Sequence, residues 1–229
     1  MNALLRGSAL HRAYGPTPAL RGVDIEIGEG EIVAVTGPSG CGKSTLLHCL
    51  AGILRVDSGE VHYRDQDIAQ WTEGARSRLR RTDFGMLFQF GQLVPELTAA
   101  ENVALPLLLA GARRREARRA ATMWLGRFGV GELADQLPGT MSGGQQQRCA
   151  VARALVTEPK VLFADEPTGA LDVLTGEQVL REIVHIAREQ GTSVVLVTHE
   201  AQIAAYAERE IVLRDGVVDT SGLGLGARA

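Results

Sequence analysis

The sequence is poor in cysteine, lysine and aromatic side chains, and it lacks a long apolar stretch. Its three cysteines, Cys41, Cys49 and Cys149, have spacings that suit neither a disulfide framework nor a zinc site, so they read as reduced, buried fillers. Lysine is scarcer still: of 24 basic residues only Lys43 and Lys160 are lysines. The longest apolar run, Val103 to Ala112, has ten residues and carries Pro106, whereas a bilayer span needs roughly 20. No membrane crossing is expected. Residues Met1 to Tyr14 have no basic segment leading into a long apolar one, so no secretory leader is expected and a cytosolic location follows. A net charge of −3 leaves no basic excess for coating nucleic acid, and no nucleic-acid partner is expected.

What is present suits one α/β core with a smaller lobe: 229 residues, 45% hydrophobic and 22% charged. Alternation over Leu20 to Ile27, then Gly28-Glu29-Gly30, then Ile32 to Val35, reads as a hairpin whose second strand enters a glycine loop. Phe84 to Phe88, Val161 to Ala164 and Ser193 to Thr198 are short apolar runs between helical stretches, the pattern of buried parallel strands. A helical insertion is expected over about residues 99–157, where Ala117, Ala120, Ala121, Trp124, Leu125 and Phe128 recur at helical spacing. Arg113, Arg114, Arg115, Arg118 and Arg119 open one of its helices against the helix dipole; a solvated face or an anionic partner would each account for them. One domain over residues 1–220 is expected, with no regulatory domain after it, and the Gly-rich segment 221–229 reads as disordered.

Three short segments carry chemistry. Gly37 to Ser44 fits G-x-x-x-x-G-K-[ST] between a strand and a helix that Gly52 stops. In that setting Gly37, Ser39, Gly40, Cys41, Gly42, Lys43, Ser44 and Thr45 form a phosphate cradle: backbone amides wrap the anion, Lys43 neutralises developing charge and the Ser44 hydroxyl ligates Mg²⁺. A compact ammonium reaches between phosphates where a planar guanidinium does not fit, which accounts for a lysine in so arginine-rich a chain. Val161-Leu162-Phe163-Ala164-Asp165-Glu166 is an apolar strand ending in two carboxylates, a layout that holds a magnesium shell and polarises a water. Ser142-Gly143-Gly144-Gln145 opens a helix, either as a plain N-cap or as a second anion site.

A phosphate loop and an S-G-G-Q helix start in one chain resemble the ABC (ATP-binding cassette) ATPases, over roughly residues 4–218. The resemblance implies a P-loop NTPase fold: a RecA-like core, an antiparallel β subdomain and an α-helical signature subdomain. It implies ATP and Mg²⁺ as ligands. Asp165, Ser44 and Gln89 would serve the metal, Glu166 would be the general base, and His199 would contact the γ-phosphate. Tyr14 would stack on adenine. Ser142, Gly143, Gly144 and Gln145 of one subunit would close on ATP held by another, with Asp172 at the same interface, so catalysis would need a homodimer. His11, His48, His62 and His185 read as structural. Met141, Cys41 and Gly169 depart from common family residues, and Gly169 leaves the coupling around Asp172 open.

Phe88 to Val103, Leu105-Pro106-Leu107 and Ala164 to Gly169 resemble the macrolide-exporter and lipoprotein-release subfamily. That placement implies a peripheral ATPase on the cytoplasmic side of the cell membrane. It would drive a separate transmembrane permease with a large extracytoplasmic domain, moving a hydrophobic compound, peptide, lipid or lipoprotein. The rival within the family is a mechanotransmission ATPase that controls a cell-wall hydrolase. A soluble repair or translation ATPase is disfavoured, because no coiled-coil insert or second cassette is present.

Overall fold

In the computed structural model, residues 3–89, 92–169 and 171–219 are described; the segment 221–229 that reads as disordered lies outside them. β1 (Ala3–Tyr14) and β2 (Thr17–Gly28) form an antiparallel hairpin. β3 (Ile32–Thr36) then leads through the glycine loop into α1 (Lys43–Leu50). β4 (Ser58–Tyr63) and β5 (Gln66–Asp67) follow, then α2 (Glu73–Thr82) and β6 (Phe84–Leu87). Three helices come next: α3 (Ala99–Leu109), α4 (Arg114–Arg127) and α5 (Gly143–Leu155). β7 (Val161–Asp165), α6 (Val173–Gln190), β8 (Ser193–Val197), α7 (Ala201–Ala204), β9 (Arg209–Arg214) and β10 (Val217–Val218) complete the order.

The strands form a four-stranded sheet, β2-β1-β4-β5, and a six-stranded sheet, β10-β9-β3-β8-β7-β6. The expected hairpin from Leu20 to Val35 is therefore corrected: β2 pairs with β1, while β3 lies between β9 and β8 in the other sheet. The physical reason is visible in the side chains. β2 alternates buried and exposed positions and faces one core, whereas every residue of β3 is buried and needs cover on both faces. The turn at Gly28 to Glu31, with Gly30 at φ 72°, passes the chain from one sheet to the other. β9 was not legible as a strand, because charged residues stand at both of its ends.

β3, β6, β7, β8 and β9 run parallel, and β7 and β8 are buried throughout. Successive residues of the sheet point into two different cores. Phe163, Val195 and Val33 join Leu5, Leu46 and Leu50 between the two sheets. Leu162, Leu196 and Ile32 join Trp124, Leu125 and Leu180 on the helical side. Ala117, Ala121, Trp124, Leu125 and Phe128 are buried there as their spacing required, with Ala120 half-buried beside them.

Candidate functional site

Strand register sets the site. Val35 pairs with Val197, Val197 with Asp165, and Ala164 with Leu87, so these strands end at one level. The residues just past that edge are Gly37, His199, Glu166 and Gln89. Ligands of open α/β sheets bind in the crevice beyond the carboxyl ends of the strands, and four separate sequence segments deliver polar groups there.

The glycine loop is held open by close backbone contact. Gly42 caps α1 at φ 106°, and a Cβ there would stand 2.3 Å from Ala19 O; at Gly37, φ 141°, it would stand 2.1 Å from Leu213 O. Neither position accepts a side chain. Lys43 is buried, and its Nζ donates to Gly37 O and Pro38 O at 2.8 and 2.9 Å, which fixes the ammonium over the loop. Ser39, Gly40 and Ser44 are exposed and Thr45 is half-buried. The Cys41 side chain instead points into the core beneath the loop, and its amide donates to Pro38 O, so it contributes to the loop's shape. Burial pushes the Cys49 and Cys149 thiols up to about 12, consistent with inert fillers.

Asp165 ends β7 with 7% of its surface exposed, and its Oδ1 is buried without a hydrogen-bond partner. An orphaned buried carboxylate oxygen costs about 1–3 kcal/mol, and it is the donor a hard cation takes. Asp165 and the Ser44 hydroxyl thus fit Mg²⁺. Glu166 follows in a left-handed conformation, φ 48°, with its amide donating to Val197 O at 3.0 Å. This strained turn re-aims the second carboxylate. Its Oε1 lies 2.7 Å from His199 Nδ1, and this hydrogen bond, with the carboxylate's charge, raises the His199 pKa above 6.5 while Lys43 opposes the shift. Lys43, Glu166 and His199 therefore share one electrostatic environment. Glu200, which the sequence reading left unassigned, joins Glu166 and His199 with ligand atoms within 4.8 Å of one another. Because His199 occupies Glu166 Oε1, the group is a hydrogen-bonded base pair with an exposed acid beside it.

Tyr14 lies at the tip of the β1–β2 hairpin and is 49% exposed. Gln89 is an exposed turn residue just past β6.

The remaining candidates form a second set. Ser142 caps α5 in a capping box: its Oγ accepts from Gln145 N and Gln145 Oε1 accepts from Ser142 N. The Gly143 and Gly144 amides lie in the first turn, where helix geometry provides no partner. Asp172 caps α6 by accepting from Thr175 N at 3.1 Å, and its hydrogen bonds with the Thr175 side chain and then with this amide lower its pKa. The hydrogen bonds of Ser142, Gln145 and Asp172 stay within their own helix starts, and α5 is joined to the segment after β7 one turn further on. Buried Gln147, not singled out in the sequence, donates to Pro167 O at 2.7 Å. A Cβ on Gly144 would lie 3.2 Å from Leu171 Cδ2. The one signal for Gln147 was its position one helical turn past Gly143. At Gly169 a Cβ would come no closer than 3.5 Å to its neighbours, so a serine would fit.

A strand-loop-helix phosphate cradle, a strand-end acid pair and a histidine on the second acid define a nucleotide-hydrolysing cassette. The chain belongs to the ABC transporter family, whose model matches residues 20–169. It is an ATPase subunit of that family, using ATP with Mg²⁺. It is 45% identical over 216 residues to the lipoprotein-releasing system ATP-binding protein LolD 2 of Caulobacter vibrioides, covering 93% of this chain and 94% of that one. The macrolide export ATP-binding/permease protein MacB of Syntrophobacter fumaroxidans is 42% identical, over 91% of this chain and 30% of its own length. Among solved structures, the dimeric bacterial ABC transporter cassette MJ0796 superposes with a TM-score of 0.90 at 37% identity, covering 94% of this chain and 96% of that one. A post-hydrolysis dimer of the same cassette, bound to ADP and Pi, gives 0.89 at 36% identity over the same shares.

Proposed function

We propose that this chain, as one cassette over residues 1–220 with a helical lobe at about 99–157, drives the release or extraction of lipoproteins from a membrane. It works as a head-to-tail pair of identical subunits. It sits peripherally on the cytoplasmic side, beneath a separate permease with a large extracytoplasmic domain. The observation that carries the chemistry is the 2.7 Å contact of His199 with Glu166, placed at the sheet edge beside Lys43. The likeness to LolD-named proteins across nearly the whole chain supports the cargo and the partner.

Each residue then has a task. Tyr14 stacks on the adenine, and free backbone amides of the loop, among them those of Ser39, Gly40 and Gly42, wrap the phosphates. Mg²⁺, when bound with the nucleotide, neutralises phosphate charge, and Ser44, Gln89 and Asp165 are the residues that would hold it. Lys43 balances the charge that grows on the γ-phosphoryl group. Glu166 accepts the proton of the attacking water as its oxygen bonds to the γ-phosphorus and the bond to the β-phosphate oxygen breaks, leaving ADP and phosphate. His199 orients the Glu166 carboxylate and contacts the γ-phosphate. Ser142, Gly143, Gly144 and Gln145 of the partner subunit close the site with the amides of a helix start, and Asp172 lies at the same interface.

Glu166→Gln tests this reading. The variant is expected to bind ATP and pair with itself while hydrolysing about 10²- to 10⁴-fold more slowly, the range for loss of a general base. Purified through a tag from detergent-solubilised native membranes with ATP, it should bring with it a permease that has few spanning helices and a large external domain, identified by mass spectrometry. Parental turnover would remove Glu166 from the mechanism. A cell-wall hydrolase among the captured proteins, or soluble partners alone, would overturn the lipoprotein assignment.

A further inference from the structure

The hairpin tip that carries Tyr14 is clamped. Arg12, two residues earlier on β1, places its guanidinium carbon 5.4 Å from the centre of the Tyr14 ring. Its Nη1 donates to Asp57 Oδ1 at 2.6 Å. The other oxygen, Asp57 Oδ2, accepts from Ala13 N at 2.7 Å, and Asp57 N donates to His11 O at 2.8 Å. One aspartate thus ties three consecutive residues, His11, Arg12 and Ala13, immediately ahead of the aromatic. Arg12 is half-buried and Asp57 is exposed, and what fixes the aspartate is this set of three bonds.

Chain connectivity adds meaning to this contact. The glycine loop enters α1 at Lys43, α1 ends at Leu50, and Asp57 stands a few residues beyond. The strand that carries Arg12, β1, also packs against α1, the helix that the phosphate loop opens. At the other side, Ala19 O of β2 closes on Gly42. The aromatic and the phosphate loop are therefore joined twice, once through the hairpin and once through the Arg12–Asp57 clamp.

We propose that Arg12 and Asp57 are positioning residues for nucleotide binding, holding the Tyr14 ring at a fixed place relative to the phosphate loop and covering one of its faces so that the purine takes the other. This rests on the reading of Tyr14 as the adenine platform. A cation over an aromatic face stabilises it electrostatically and restricts its rotation, and a carboxylate that also accepts a backbone amide converts a flexible arginine into a fixed one.

The test compares ATP with inorganic tripolyphosphate, which offers the phosphate loop its ligand but has no base. Affinities are measured by isothermal titration calorimetry with the full chain. Arg12→Gln and Asp57→Asn are each expected to weaken ATP about two- to fivefold, the order of one exposed cation–π contact, and to leave tripolyphosphate affinity as it was. Arg12→Lys, which keeps the cation, should recover part of the loss. Equal weakening of both ligands would make the clamp a support of the fold alone and overturn the proposal. Tyr14→Ala separates the two readings. If it weakens ATP selectively while Arg12→Gln does not, the clamp falls and the platform stands; if Tyr14→Ala leaves ATP affinity unchanged, the platform itself falls.

Discussion

At the scale of single residues, the site places two carboxylates in opposite surroundings one residue apart. Asp165 keeps the strand conformation, buried with an orphaned oxygen, while Glu166 turns out of the strand at φ 48° and meets His199. In the proposed mechanism the first serves a cation and the second a proton. The hydrogen bond to Glu166, aided by its charge, raises the His199 pKa above 6.5. For a raised group the associated stabilisation is complete below the ordinary pKa and disappears as pH climbs through the raised one. Replacing Glu166 with Gln should therefore return the His199 titration towards 6.5, followed by NMR of the imidazole signals in the free protein. An unchanged titration in the variant would show that the pair does not form in solution.

These residues were legible because each motif sits at a strand end, where a run of apolar letters stops abruptly at polar ones. Arg12, Asp57 and Gln147 were not legible. Their partners are a ring two residues away, a backbone amide 44 residues away and a carbonyl 20 residues away, and even the helical spacing that places Gln147 one turn past Gly143 does not announce its partner.

At the scale of elements, α2 supports the far end of α1. Arg80 donates to Gly52 O at 2.6 Å, and buried Arg76 packs its stem where Gly52 leaves no room for a larger residue. Glu73 binds both arginines, and these hydrogen bonds hold its carboxyl at about 2, below the ordinary 4.5. A depressed carboxylate contributes stability that is complete above its ordinary pKa and is lost as pH falls through the depressed one. Glu73→Gln is expected to lower the urea midpoint near neutral pH, and the difference from the parent should shrink as pH falls from 4.5 towards about 2. A difference independent of pH would mean that the carboxylate's charge is not what holds α2. The element reading of the sequence went astray between β2 and β3, where one rule covers two situations: alternation marked β2 correctly, but a glycine turn between apolar runs reads as a hairpin whether the next strand stays in the sheet or leaves it. The uninterrupted burial of β3 is what decides, and it requires cover from elements far along the chain.

At the scale of the whole molecule, the polar groups divide into two sets on one chain. The phosphate loop, Glu166 and His199 gather at the sheet edge, whereas Ser142 and Gly144 stand at the start of α5, which Gln147 ties to the segment after β7, and Asp172 caps the start of α6. A site that uses both sets through two copies predicts a clean separation of defects. Ser142→Arg should keep nucleotide affinity in the monomer and abolish ATP-dependent pairing, because a bulky cation would occupy the helix start meant for an anion. Analytical ultracentrifugation of the Glu166→Gln chain with and without Ser142→Arg reads this directly. Dimers that persist in the double variant would refute the shared site.

The bond from Gln147 to Pro167, with Leu171 close against Gly144, joins α5 to the stretch that follows Glu166 as a lever is joined to its pivot. A tilt of α5 would therefore pull on the backbone just past Glu166. On the proposed function, the free energy of ATP hydrolysis would reach a membrane partner along this tie.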